Sequence, residues 1–328
     1  MQYPGLEALA SSTRRLMIVG DTQETALIER LVGLEQNAAR RVHLLDELAA
    51  RRPDAVLHLG DLVTFGSAPG HWARLDQLLA PLRAANVPLL PVVGNHDRMI
   101  VAKLGLRQLA KRFEVLRTRT WYDFELAGVA FIALDSNLVR GATGEAQVAW
   151  LEEVVGTADA DPDIKAIVAY WHHPPMSNSR IVRPSRHARE VFLGTLGRSK
   201  KALAVFTGHA HAYEHFIVDG VHCFVSGGGG GPRHTLEVRP ERWRARDLFG
   251  GGAKRFMHFL ELEIGDDALT IATIRMADGT HRCDEADRVT LPFAARQSMW
   301  RCRGSAAEDA HEVDDDRGGG PGVGGMWR

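Results

Sequence analysis

Five short polar motifs follow apolar runs in a fixed order along this chain of 328 residues. They are Gly-Asp-Thr-Gln at 20–23, Gly-Asp at 60–61, Gly-Asn-His-Asp at 94–97, His-His-Pro at 172–174 and Gly-His-Ala-His at 208–211. Asp, Asn and His supply the oxygen and imidazole donors that divalent metal ions bind in proteins. Because each motif comes where a strand should end, the sequence predicts a two-metal hydrolytic site built on strand ends.

The bulk composition is ordinary for a soluble globular protein, with 45% hydrophobic and 25% charged residues. A formal net charge of -1 gives no general attraction to nucleic acid or to an anionic membrane. No apolar run approaches the ~18 residues of a membrane span, and no signal peptide is expected at the N-terminus. Three widely spaced cysteines predict reduced thiols, so we expect a cytoplasmic protein.

The first half of the chain alternates apolar runs with helical patterns. We expect strands at 16–20, 55–60 and 87–93, separated by helices at 24–50 and 71–85. Each strand is apolar on both faces, as a strand covered by helices should be. The alternation predicts an α/β fold with parallel pairing, which brings ligands at the carboxyl ends of the strands to one edge.

The second half is richer in strands. A hairpin is expected at 121–134, a helix at 145–155, and strands at 166–171 and 202–207. Asp219-Gly220 is a strong turn signal between two further strands, and another hairpin is predicted at 258–276. We expect the later strands to form a second sheet.

The predicted domain organisation is simple. Residues 15–298 should form one domain that carries all five motifs, after an N-terminal extension at 1–14. Residues 299–328 are Gly-rich with an acidic run, and we expect them to be disordered. The Arg-rich segment 238–254 should be a long surface loop near the site.

Each motif also has a structural interpretation. Asp21 and Asp61 could cap the turns that follow their strands, and residues 95–97 could be an Asx turn. Finding all five motifs in order favours metal binding. His96 would then be a general acid, with Asp97 fixing its tautomer and raising its basicity. The glycines of 227–231 could cradle an anion, although such runs more often mark tight packing.

The five motifs resemble those of the calcineurin-like metallophosphoesterase superfamily, whose pattern is D-x-H, G-D, G-N-H-[DE], H and G-H-x-H. The resemblance covers roughly residues 15–233, and segment 208–215 looks like the purple-acid-phosphatase-like branch. It implies a four-layer α/β/β/α sandwich of two mixed sheets flanked by helices, with two divalent metal ions. The metal ligands that it implies are Asp21, Gln23, Asp61, Asn95, His172, His209 and His211. Asp61 matches the bridging carboxylate.

Two positions depart from the family pattern. Gln23 stands where many members have His, and its amide oxygen favours harder ions, so Mn is expected ahead of Fe or Zn. Thr64 stands where purple enzymes have a Tyr. Without that tyrosinate a purple ferric site is not expected.

The resemblance implies hydrolysis of a phosphoric ester, with a metal-bound hydroxide attacking phosphorus and His96 stabilising charge or protonating the leaving oxygen. A small-molecule phosphoester is the expected partner, with neither membrane nor nucleic acid indicated. Weaker candidates for substrate contact are Arg98, His173, Arg180, Arg183 and His215. Two alternatives stay open: a phosphodiesterase or nucleotide pyrophosphatase rather than a monoesterase, and a catalytically idle metal-binding interaction protein.

Overall fold

The structure, a computed structural model, describes residues 2–294, with the backbone alone at positions 27 and 28. The described strands form two six-stranded mixed sheets, which helices flank. A large apolar core joins the two sheets and the helices that cover the first, and a second cluster joins the second sheet and its helices. The predicted sandwich of two mixed sheets is therefore confirmed.

The first sheet has the order β12-β11-β10-β1-β2-β3. Its strands are β1 (Arg15–Val19), β2 (Ala55–His58), β3 (Leu89–Pro91), β10 (Met257–Ile264), β11 (Ala268–Met276) and β12 (Cys283–Pro292). Strands β1, β2 and β3 pair in parallel, whereas β10 pairs antiparallel with β1. The predicted hairpin of β10 and β11 thus returns to the first sheet, which corrects the expectation that all later strands form the second.

The second sheet has the order β4-β5-β6-β7-β9-β8. Its strands are β4 (Tyr122–Leu126), β5 (Val129–Ala133), β6 (Ala166–Trp171), β7 (Ala202–Thr207), β8 (Tyr213–Val218) and β9 (Val221–Ser226). Strands β5, β6, β7 and β9 are parallel, and β4 and β8 are antiparallel edges. Asp219 and Gly220 both have positive φ (51° and 77°), as the predicted hairpin turn requires.

Helices cover the outer faces of both sheets. They are α1 (Leu27–Leu31), α2 (Ala38–Ala50), α3 (Pro69–Leu78), α4 (Ala80–Ala84), α5 (Ala102–Arg112), α6 (Gly141–Ala160) and α7 (Gly194–Arg198), with a π-helical segment at Ala188–Leu193. The single helix predicted for 24–50 is wrong, because the chain breaks between α1 and α2. Gly33 has φ 80°, a conformation that ends a helix, and the following loop runs to Asn37.

The first residues of the chain belong to the fold. The ring of Tyr3 is 2% exposed within the main core, and its hydroxyl donates to Asp76 on α3. The backbone of Pro4 accepts a hydrogen bond from Leu89 at the start of β3. Residues 295–328, which include the predicted tail and the predicted end of the domain at 298, lie outside the described residues. No helix among the described residues is long and apolar enough to cross a membrane.

Candidate metal centre

Polar residues follow the carboxyl ends of parallel strands in both sheets, and their side chains come together between the two sheets. Asp21 follows β1, Asp61 follows β2 and His209 follows β7. All three have left-handed backbones, with φ of 59°, 53° and 64°. This conformation is uncommon for residues other than glycine and often marks functional sites. At each of the three residues this conformation turns the chain sharply, so that the side chain faces the opposite sheet.

Close backbone packing fixes these turns. A Cβ at Gly94 would overlap the backbone nitrogen and the carboxylate of Asp61, and one at Gly208 would overlap the carboxylate of Asp21. The backbone N–H of His209 donates to both Asp21 oxygens at 2.9 Å. The glycines of the sequence motifs therefore make room for the neighbouring carboxylates.

Four side chains meet at one point. The Nε2 of His172 lies 3.2 Å from Oδ2 of Asp61 and 2.9 Å from Oδ1 of Asn95. The same Asn95 oxygen lies 2.9 Å from Nδ1 of His209. These residues come from strands of both sheets, and they form the first donor group of the site.

A second donor group adjoins the first. The Nε2 of His211 lies 3.5 Å from Oδ1 of Asp21 and 3.1 Å from the Gln23 amide. When the amide oxygen of Gln23 faces His211, its nitrogen donates to the main-chain carbonyls of Asp21 and Asp61 at 3.1 and 3.0 Å. Ligand atoms of Asp21, Asp61 and His172 lie within 4.8 Å of one another, so Asp61 links the two groups.

The orientation of two imidazoles suits a cation. The Nδ1–H of His172 donates to the Leu59 carbonyl at 2.8 Å, and that of His211 donates to the Pro232 carbonyl at 2.7 Å. In the neutral rings, each Nε2 lone pair then faces oxygen atoms, which are themselves acceptors. Facing acceptors repel one another unless a proton or a metal ion lies between them.

The buried negative charge of the two aspartates also indicates a cation site. Asp21 is fully buried and Asp61 is 1% exposed, and their ion pairs among the described residues are with histidines only. Buried carboxylates require a compensating positive charge. Two carboxylates, two amides and three imidazoles are a donor set that divalent ions accept, so the residues present fit a dinuclear centre.

The surroundings shift the pKa values of two cluster histidines in opposite directions. Burial lowers the pKa of His172, but the Asp61 carboxylate outweighs burial and raises that pKa to about 9. Burial and the neighbouring His173 and His172 hold the pKa of His209 well below its usual value. A metal ion at His172 must therefore displace a proton, so metal affinity should fall as the pH is lowered.

His96 is held differently from the prediction. Its backbone N–H donates to Oδ1 of Asp61 at 2.7 Å, and its ring Nδ1 lies 2.9 Å from the Thr64 carbonyl. Asp97 does not contact this ring, which corrects the expected His96–Asp97 pair. The Asp97 carboxylate is fully buried and accepts backbone N–H bonds from Asp61, Leu62, Val63 and Gly94. Asp97 therefore links the loop of the second motif to the loop of the third.

The five candidates for substrate contact separate in the structure. The His173 ring lies 4.6 Å from that of His209, and its Nδ1 bonds Ser136 at 2.8 Å. Arg98, two residues after His96, pairs with Asp135 at 3.6 Å. Arg180 and Arg183 are exposed on the loop after β6. His215 does not join the cluster, because it is 5% exposed within β8, stacks on Phe224 and bonds His222.

Sequence reasoning missed part of the surroundings of the site. Ser136 follows β5 at the same edge as the five motifs, so its position after a strand was the available signal. The 227–231 glycines favour the packing interpretation, since the N–H groups of Gly229 and Gly231 donate to the carbonyls of Gly20 and Asp21. Cβ atoms there would overlap Asp21, Gly20, Arg41 and the rings of His211 and His258. The run is therefore glycine because the chain packs tightly behind the cluster.

Glu214 anchors the loop that follows the fourth motif. It is fully buried on β8, where its carboxylate accepts bonds from Ser177 Oγ at 2.5 Å and the Asn178 N–H at 2.8 Å. Asn178 in turn bonds the backbone of Arg244 and Ala245 in the predicted surface loop. Burial raises the pKa of Glu214 to about 7.

We expect Glu214 to make folding pH-dependent. Its pKa in the folded state is raised above the unfolded value of 4.5, so its stabilising contribution is complete below pH 4.5 and is lost as the pH rises through about 7. Relative to Glu214→Gln, the wild-type free energy of unfolding should fall by about 3 kcal/mol across this window. Denaturant melts at several pH values measure this, with Glu145→Gln, at an exposed position of α6, as control. Parallel pH curves for wild type and Glu214→Gln would contradict it.

The fold and the cluster together define a class: two-sheet α/β sandwiches with a dinuclear metal site between the strand ends. The profile of the calcineurin-like phosphoesterase family matches residues 14–213. The chain belongs to this family, which is dinuclear-metal dependent.

Two curated proteins are similar to this chain. The chain is 29% identical over 203 residues to a cAMP/cGMP dual specificity phosphodiesterase of Mycobacterium tuberculosis (strain CDC 1551 / Oshkosh), covering 60% of this chain and 61% of that protein. It is 26% identical over 238 residues to purple acid phosphatase 23 of Arabidopsis thaliana, covering 61% and 47%. The chain thus spans about half to three-fifths of the length of these relatives.

A solved structure shows the same fold. Purple acid phosphatase PPD1 from yellow lupin (Lupinus luteus) seeds superposes with a TM-score of 0.66 and 16% sequence identity, covering 86% of this chain and 54% of that one. At this identity the likeness concerns the fold alone. It agrees with the sandwich that the motifs predicted.

Proposed function

We propose that this protein hydrolyses phosphoric esters, using two divalent metal ions held by the two donor groups. The observation that carries the proposal is the meeting of seven buried or half-buried oxygen and imidazole donors between the two sheets. They are Asp21, Gln23, Asp61, Asn95, His172, His209 and His211. Bound ions would supply positive charge to the phosphoryl oxygens and make water acidic enough to act near neutral pH.

The side chains of this chain would hold and orient the substrate. His96 has its Nδ1 anchored on the Thr64 carbonyl, and its Nε2 makes no hydrogen bond to the described residues, so it can meet a substrate. From there the ring can stabilise charge on the phosphoryl group or give a proton to the leaving oxygen. His173, fixed by Ser136 next to His209, lies where a second imidazole could contact the same group.

We propose Mn as the preferred ion, because Gln23 adds an amide oxygen where an imidazole would favour Zn or Fe. The structure offers no tyrosinate ligand at the position of Thr64, whose hydroxyl donates to the Glu24 carbonyl. The four tyrosines of the chain bond elsewhere: Tyr3 to Asp76, Tyr122 to Pro91, Tyr170 to Tyr122 and Tyr213 to Asp287.

Gln23→His should shift the metal preference. The imidazole replaces an oxygen donor next to His211, so binding and activity with Zn or Fe should rise relative to Mn, roughly 10-fold. Metal titrations followed by calorimetry, and turnover with each ion, measure the shift. The control is Gln147→His, which makes the same substitution away from the candidate metal ligands. Gln147 is a buried glutamine on α6 that bonds Asp135. Unchanged profiles for Gln23→His would place Gln23 outside the metal ligands.

Turnover assays test the function itself. Both a phosphodiesterase and a phosphatase are among the relatives, so small-molecule monoesters and diesters are both candidate substrates. Protein reconstituted with Mn should hydrolyse an aryl phosphate or its diester, and the ratio of the two rates decides which ester class it prefers. Two bound ions without turnover of either ester would favour the idle interaction protein instead. The cytoplasmic location stays a prediction.

A further inference from the structure

A histidine outside the five motifs lies directly against the cluster. The ring of His234 stacks on that of His211, with centroids 4.2 Å apart and planes at 21°. Its backbone N–H donates to the His211 carbonyl at 2.9 Å, while its Nδ1 accepts the His211 backbone N–H at 3.2 Å. The two residues therefore hold each other by a reciprocal pair of bonds.

These bonds fix the tautomer of His234. Since Nδ1 accepts an N–H bond, it carries no proton, and in the neutral ring the proton is on Nε2. Among the described residues none accepts a hydrogen bond from this Nε2–H, and the atom is not among the described buried polar atoms that lack a partner. The ring is half-buried and stacked on His211, so this Nε2–H lies beside the second donor group and can donate to a bound molecule.

The backbone around His234 is firmly anchored. The N–H of Gly231 donates to the Asp21 carbonyl at 3.1 Å, and the Asn37 side chain donates to the Gly231 carbonyl at 3.1 Å. Arg233 pairs with Glu35 at 2.6 Å and with Asp278 at 2.8 Å. A donor on such a segment keeps its position without a substrate, which is what preorganised recognition of a charged group requires.

We propose that His234 is a substrate-contact residue, whose Nε2–H donates to an oxygen of the phosphoryl group. The inference rests on the proposed function, since it places a phosphoester beside Asp21 and His211. It also explains why an imidazole outside the seven metal-ligand candidates is held against one of them in a single tautomer. The other role for this ring is structural support of His211 through Nδ1 alone.

Three substitutions separate the two roles. His234→Gln can place an N–H near the position of Nε2, whereas His234→Asn can only replace the Nδ1 acceptor, and His234→Ala does neither. The affinity of the full-length, Mn-loaded protein for inorganic phosphate, measured by calorimetry, is the main readout, with metal content measured in parallel. His222→Gln is the matched control, because His222 is a half-buried histidine at the far end of β9.

We expect the dissociation constant for phosphate to rise roughly 10- to 100-fold in His234→Ala and His234→Asn, with two ions retained, because a bond to a charged oxygen is lost. His234→Gln and His222→Gln should stay within about threefold of wild type, and KM for an ester should follow the same order. The opposite order, in which Asn resembles wild type and Gln loses metal and phosphate, overturns the contact. So does unchanged phosphate affinity in His234→Ala. Wild type that binds two ions but neither phosphate nor ester would overturn the proposed function as well.

Discussion

Asp61→Asn should remove most of the bound metal and nearly all activity while leaving the fold intact. Ligand atoms of Asp61 lie within 4.8 Å of those of Asp21 and His172, so both donor groups share this carboxylate. A neutral amide removes the charge that two ions would share in a fully buried setting. We expect metal content to fall from two ions toward none, and kcat/KM to fall roughly a thousandfold or more. Elemental analysis and turnover after Mn reconstitution measure both.

Asp76→Asn is the matched control for Asp61→Asn. Asp76 is also a buried aspartate, 9% exposed, but it pairs with Arg112 and Tyr3 on the outer side of the first sheet. Its substitution should lower stability without changing metal content. Full metal content in Asp61→Asn, or equal metal loss in both variants, would show that the carboxylate does not bridge two ions.

The local parts of the fold could be predicted from the sequence, because their signals are local. Strands β6 and β7 have the predicted limits, and the turn at Asp219-Gly220 has the predicted positive φ values. The pairing of β10 with β1 joins residues about 240 positions apart, and no local pattern encodes such a contact. The break between α1 and α2 was missed because Leu, Glu and Arg continue on both sides of Gly33. The left-handed backbone of Gly33 ends the helix, although the residues on both sides favour helix formation.

In the candidate site, too, local features could be predicted from the sequence and contacts between distant segments could not. Its ligand candidates could be predicted because they belong to motifs that follow apolar runs, and each of these motifs contains a glycine or a proline. The neighbours that orient them could not, since the Leu59 and Pro232 carbonyls act through the backbone and leave no trace in residue type. Adjacency in sequence also misled the prediction for Asp97. The residue next to His96 turns its carboxylate toward the backbone of another loop, and the Thr64 carbonyl contacts the histidine instead.

His96→Ala should separate metal binding from chemistry. Its ring makes no described contact with the seven metal-ligand candidates, and only its backbone N–H bonds Asp61. Alanine keeps that N–H, so metal content should stay near two ions while kcat falls by roughly 10²–10⁴. His71→Ala is the control, because His71 is a half-buried histidine that packs edge-on against Phe65, the residue after Thr64. It should leave kcat unchanged.

The leaving group identifies what His96 contributes. An alkoxide is a poor leaving group and needs a proton as the bond to phosphorus breaks, whereas a nitrophenolate leaves with little help. If His96 supplies that proton, His96→Ala should lose about 10-fold more activity on an alkyl ester than on an aryl ester. Equal losses on both esters would instead assign the ring to stabilising charge on the phosphoryl oxygens, because that charge develops whichever group departs. Loss of the metal ions in His96→Ala would make the ring a ligand, and undiminished turnover of the alkyl ester would remove it from the mechanism.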